Sequence, residues 1–85
     1  MSQASYHTTD LALAACLKAV LRLPFPTIRV DGRLSTFVFQ VDPTEAQRVA
    51  DDFYNDRLDV PARRYAQDLR DLKALIFREK EAQAR

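Results

Sequence analysis

The chain predicts an α+β fold in the order (β)αββαα, a β-hairpin covered on one face by three helices. Three observations predict it. An Asp31-Gly32 pair interrupts the alternating run IRVDGRLSTFVFQV from Ile28 to Val41. An apolar stripe at helical spacing precedes that run, and two more follow it, each opened by a proline. Period two flanked by period 3.6 is the pattern of a small sheet with helices packed upon it.

The elements justify themselves in order. Residues 1 to 5 are expected to fray. Tyr6-His7-Thr8 reads either as a short edge strand or as the lead-in to a helix. Thr8, Thr9 and Asp10 supply N-cap candidates before DLALAACLKAVLR, because a short side-chain oxygen there accepts from a free N–H of the first turn. Leu13, Cys16, Leu17, Val20 and Leu21 form the buried stripe, and Leu11, Ala14 and Ala15 widen it. Only Lys18 and Arg22 are left as a polar edge, so this helix is expected to be central. Pro24 and Pro26 stop it.

The hairpin comes next. Asp-Gly suits the centre of a two-residue type I′ turn, where both residues need positive φ, and Gly32 is the only glycine. Centring the turn there sets Val30 opposite Arg33 and Ile28 opposite Ser35. Ile28, Val30, Phe37, Phe39 and Val41 then share the face that helices must cover. Thr27, Arg29, Leu34, Thr36, Val38 and Gln40 take the other face.

Asp42-Pro43-Thr44-Glu45 opens the second helix with a cap, a proline whose missing N–H costs nothing, and an acid at the third position. Ala46, Val49, Ala50 and Phe53 are its apolar face. Its end is expected at Tyr54-Asn55-Asp56, with Asn55 taking the left-handed conformation. Pro61 opens the last helix, whose stripe is Ala62, Tyr65, Leu69, Leu72 and Ile76, broadened by Ala66 and Leu75, with Phe77 on a flank. That is more apolar breadth than one hairpin needs, but too few heptads for a coiled coil, so packing on the hairpin is expected. The end of this helix is polar, and residues 80 to 85 are expected to fray. The whole chain, residues 1 to 85, reads as one domain without repeats or linker.

Composition narrows the function classes. At 85 residues the core is near the lower limit for independent stability, which disfavours a deep catalytic cleft. A net charge of +1 gives no bulk attraction to a polyanion. Charge is nevertheless blocked by sign: positions 18 to 33 are net basic, 42 to 59 net acidic, and 60 to 85 net basic. Neighbouring elements satisfying each other explain such blocks in the first instance. The single cysteine, Cys16, excludes an intrachain disulfide and a cysteine-based zinc site, and its apolar setting favours a reducing compartment. The N-terminus lacks signal-peptide features and the longest apolar run, Leu11 to Leu17, is too short to span a bilayer. A cytoplasmic location is the expectation.

The order of motifs carries a resemblance. Tyr6-His7-Thr8-Thr9-Asp10-Leu11 opens the chain, aromatic alternation in Phe37-Val38-Phe39 follows, then Phe53-Tyr54-Asn55-Asp56 and a helix ending Leu72-Lys73-Ala74-Leu75-Ile76. This resembles a family of small uncharacterised domains of bacteria, phages and other mobile elements. The family pattern closes its second helix with aromatic-Tyr-Asn-Gly, and Asp56 stands here in place of the glycine. The resemblance covers nearly the whole chain through motifs that are mostly apolar. It implies the same element order, and it carries over no catalytic residue.

Few residues are arranged to carry chemistry. His7, Thr8 and Asp10 invite a triad, but a second histidine, a glycine-rich elbow and an oxyanion signature are all missing. Asp51 and Asp52 diverge by about 100° on a helix, so they cannot converge on a metal. Asp56 and Asp59 lack the spacing and glycine of a calcium loop. One glycine cannot build a phosphate cradle. No catalytic residue, cofactor or metal is therefore assigned.

Arginine outnumbers lysine ten to three, and arginine favours bidentate contacts to phosphate or carboxylate. Arg63, Gln67 and Arg70 share a flank of the last helix beside Phe77, while Arg22, Arg29 and Arg33 lie on the first helix and hairpin. Arg64 and Asp68 are spaced as an i, i+4 pair. The expected function is a non-enzymatic binding module with a protein–protein interface. The expected contact residues are Arg29, Arg33, Arg63, Arg70 and Phe77. The competing readings are a nucleic-acid binder using those arginines and a structural homo-oligomer subunit.

Overall fold

The structure is a computed structural model and describes residues 4 to 83. The termini expected to fray lie partly outside this range. Its elements are β1 (Tyr6–Thr8), α1 (Leu11–Leu21), β2 (Thr27–Asp31), β3 (Leu34–Phe39), α2 (Pro43–Tyr54) and α3 (Ala62–Gln83). The order βαββαα and the α+β class are those read from the sequence. Tyr6-His7-Thr8 is a strand: β1 joins the sheet antiparallel to β3, giving the order β1-β3-β2.

The hairpin differs from expectation in its turn. Asp31 pairs with Leu34, Val30 with Ser35 and Ile28 with Phe37, so Gly32 and Arg33 are the two central residues. Of that pair only Gly32 has positive φ, at 64°. Glycine first and an ordinary residue second is the requirement of a type II′ turn, whereas the expected type I′ would have forced Asp31 left-handed as well. The pairing moves by two residues along β3, an even step, so each side chain keeps its face. Phe37 and Phe39 are buried on the covered face, with Ile28 half-buried beside them.

Asp10 caps α1: its Oδ1 accepts from the Leu13 N–H at 3.1 Å. The helix is central, as its breadth requires, with Leu13, Ala14, Ala15, Cys16, Leu17 and Ala19 all buried. It closes on Arg22, which takes the left-handed conformation, and the Leu23 N–H reaches back to the Lys18 carbonyl at 3.2 Å. Asp42 caps α2 by accepting from the Thr44 N–H at 2.9 Å, one residue beyond Pro43. At the far end of α2 the left-handed residue is Asp56, with φ 61°, and not Asn55, whose φ is −94°. Asn55 instead uses its side-chain Nδ2 to donate to the Asp51 carbonyl at 2.7 Å.

α1 lies between α2 and α3, and α3 crosses β2. Leu72 is its fully buried residue, flanked by half-buried Tyr65, Leu69, Leu75 and Ile76. Ala62 and Ala66, both expected on that stripe, are exposed. Ala66 lies about 120° round the helix from Leu72, past the edge of the apolar arc. Asp68 also departs from expectation: it pairs with Lys18 of α1 at 3.0 Å, not with Arg64. Burial explains the choice. The Asp68 and Lys18 side chains are 8% and 15% exposed, and a buried carboxylate takes the cation that is buried with it.

The polar end of α3 remains helical to Gln83, whose Nε2 donates to the Val30 carbonyl at 3.1 Å. Asp31 and Leu34 flank the turn, so alternation directs the backbone groups of Ile28 and Val30 away from β3, along the free edge of the sheet. Gln83 occupies one of these groups. The sheet face opposite Phe37 and Phe39 carries His7, Thr27, Arg29, Thr36 and Leu34, exposed or half-buried, around Val38, which is buried. No helix among the described residues is long and apolar enough to cross a membrane.

Candidate functional site

The N-terminal polar cluster is structural. Asp10 accepts from the Leu13 N–H through Oδ1 and from the Tyr54 hydroxyl through Oδ2, at 3.1 and 3.0 Å. Thr8 Oγ1 accepts from the Asp10 N–H at 3.1 Å. His7 is exposed on the open sheet face, because it alternates with Tyr6 and Thr8, which face the helices. His7, Thr8 and Asp10 therefore do not converge. Asp51 accepts from Gln47 Nε2 at 2.9 Å on the exposed side of α2. No group of three potential metal ligands occurs among the described residues.

Cys16 is buried at the floor of a cleft of about 340 Å³ formed where α1, the end of α2, the connector and the start of α3 meet. Phe53, Leu58, Val60, Ala62 and Tyr65 give it apolar walls, and Asp56 stands at its mouth. Burial pushes the thiol above its ordinary value, and the charge of Asp10 adds to the effect. The protonated thiol is a weak nucleophile, so the cleft is a place to dock apolar groups. Two segments build it, Cys16 of α1 and the continuous stretch from Phe53 to Tyr65, and their meeting is set by the packing of α1 and not by either stretch alone.

The residues expected to contact a partner are all exposed, but they do not form one surface. Arg29 sits on the open sheet face and Arg33 at the hairpin tip, whereas α3 packs on the other side of the sheet. Arg63, Arg70 and Phe77 recur every seven residues and so follow one line along the outward side of α3. Lys73 and Lys80, both exposed, flank that line at the next helical row.

The same helix gathers an aromatic that the sequence reading missed. Phe25, held between Pro24 and Pro26, is 55% exposed. Its ring lies under Lys18 Nζ, 4.4 Å from the centroid, and beside Asp71, Ala74, Leu75 and Arg78. Lys18 is thus fixed twice, by the Asp68 carboxylate and by a ring face. Ala74 lies one turn before Phe77, which is 64% exposed. Phe25, Ala74 and Leu75 make an apolar patch beside the second half of α3, edged by Asp71 and Arg78, and Phe77 stands exposed on a neighbouring row of the helix with Arg70 and Lys73. The available signal for Phe25 was its place between two prolines, which leaves a large apolar side chain no regular element in which to hide.

Comparison with protein-family models, with curated proteins and with solved structures finds no match.

Proposed function

We propose that the domain is a non-enzymatic binding module whose partner is a protein with an apolar, acid-rimmed docking site. The observation that carries the reading is the exposure of two aromatics along α3, Phe25 and Phe77, with Arg70, Lys73 and Arg78 on the same helix and Asp71 the acid beside Phe25. Aromatic side chains at the centre with arginine at the margin are the composition of protein interfaces, where a few such anchors supply most of the binding energy. A cationic rim steers an acidic partner and rejects a basic one. The same residues argue less well for a nucleic acid, since Arg29 lies on the opposite side of the sheet and the basic row on α3 is short. Action in the cytoplasm, and service to a phage or mobile element, belong to the same proposal and lean on the buried free thiol and on the resemblance described above.

The test is affinity capture from the native host after nuclease treatment, with the wild type and with Phe77→Asp and Arg70→Glu. A stoichiometric protein recovered by the wild type and lost with both variants is the expected result. Recovery that disappears with nuclease, or binding to DNA or RNA that falls steeply as salt rises, would overturn it.

A further inference from the structure

We propose that the depression between the end of α1 and the first half of α3 binds a phosphate-class dianion, held by Arg22 and Arg64. This site lies apart from Phe77, so it stands or falls separately from the protein-binding reading. The depression, of about 260 Å³, is lined by Lys18, Arg22, Leu23, Arg64 and Asp68. Its one acid is already answered: Asp68 is buried and pairs with Lys18 at 3.0 Å, the one ion pair among the described residues. Arg64 is spaced to meet Asp68 one turn on, but Lys18 of another helix takes that carboxylate. Neither Arg22 nor Arg64 therefore has a carboxylate at ion-pair distance among the described residues. Two like charges, one from the end of α1 and one from the start of α3, are left facing the same depression. Arg63 lines an adjoining one with Arg64 and Asp68, so the surplus continues past the rim.

The helix ends do not cancel that surplus. Arg22 follows the carbonyl end of α1 and Arg64 lies in the first turn of α3, so the partial charges of the two ends are opposite in sign and offset each other. A surplus of two selects the anion. A phosphoryl group carries close to two negative charges at neutral pH, whereas a carboxylate carries one. The guanidinium fork also matches phosphate oxygens in pairs, and because the donors are side chains no glycine loop is needed. The backbone of Arg22 points the same way. It holds φ at 53°, in the left-handed position after a helix that glycine fills without strain. An arginine there strains the fold and gains no ion pair within it, and residues held in strained conformations gather at ligand clamps.

Titration of the purified chain with methyl phosphate, at constant ionic strength in chloride and followed by amide and guanidinium resonances, tests this. Saturable shifts at Arg22, Leu23 and Arg64 are expected at neutral pH. Affinity is expected to fall at least threefold at about pH 5, where the probe keeps a single charge. Arg22→Gly is expected to weaken binding at least tenfold while the urea midpoint does not fall, which separates a lost contact from a lost fold. Arg64→Gln is expected to weaken it to a similar degree. Arg48→Gln, on the exposed side of α2, is expected to bind as the wild type does. Inorganic phosphate titrated alongside distinguishes a free ion from an esterified group, and saturable binding of either supports the assignment. Shifts that rise without saturating, acetate bound as tightly as methyl phosphate, or equal losses with Arg48→Gln and Arg64→Gln would overturn it.

Discussion

Arg22 and Asp56 hold φ of 53° and 61°, the only non-glycine residues with positive φ among those described. Each ends a helix, and each carries a Cβ into a conformation that glycine adopts without strain. Asp tolerates it better than Arg, because its short side chain bonds to nearby backbone. Glycine is also what the resembled pattern places at position 56. Arg22→Gly is therefore expected to raise stability by about 0.5–1 kcal/mol, the strain relieved exceeding the added freedom of the unfolded chain. Urea unfolding checks it: the midpoint rises while the slope is unchanged. Cys16 gives a second prediction at this scale. Its raised thiol pKa, from burial and then from Asp10, means the folded state holds the proton to higher pH than the unfolded chain does. Its contribution is complete below the unfolded thiol value and is lost as pH rises through the folded one. Stability is expected to decline above about pH 9, and Cys16→Ala to flatten that decline. Denaturation midpoints across the alkaline range, read as slopes and not offsets, decide the matter.

Helix and strand positions were legible because apolar spacing encodes them directly, and the pairing of elements was legible only where parity protects it. The hairpin shows the distinction. Asp31-Gly32 marked the turn, yet glycine satisfies the first position of a II′ turn as readily as the second of a I′ turn, and the local letters do not choose. The covered face survived because the two registers differ by an even step. Phe39→Asp is accordingly expected to unfold the domain, since a carboxylate would be placed in a core that offers it no partner. Loss of the circular dichroism signal would report it. The Lys18–Asp68 pair was not legible, because 50 residues separate the partners and Arg64 stood closer in sequence. Lys18→Met is expected to cost about 3–5 kcal/mol by leaving Asp68 buried without its cation. Adding Asp68→Leu is expected to recover most of that, and the coupling between the two changes is what a double-mutant cycle reads.

At the scale of the whole molecule, charge follows the layout of the helix layer. α1 is almost entirely apolar and occupies the middle, with the acid-rich α2 on one side and the arginine-bearing α3 on the other. The sign blocks along the chain were expected to be elements answering one another across a surface. The one ion pair among the described residues joins two packed elements, Lys18 of α1 and Asp68 of α3. Sequence order alone does not say that α1 comes between α2 and α3. The candidate contact residues divided for a related reason. Face parity on a strand sends Arg29 to one side of the sheet, while the helix bearing Arg70 and Phe77 covers the other.

The hydrogen bond from Gln83 to the Val30 carbonyl reaches further than its own strength. β2 is the outermost strand of the hairpin, and its outward groups are a short template onto which another extended chain can align. The last turn of α3 acts as a latch across that template, held by the length of the helix and by one amide. A chain ended after Lys80 keeps every core residue, so its melting temperature is expected to change little. Its lag time to fibrils in agitated solution is expected to shorten severalfold, measured by dye fluorescence against the full chain. The polar tail would then set the shelf life of the domain without contributing to its fold.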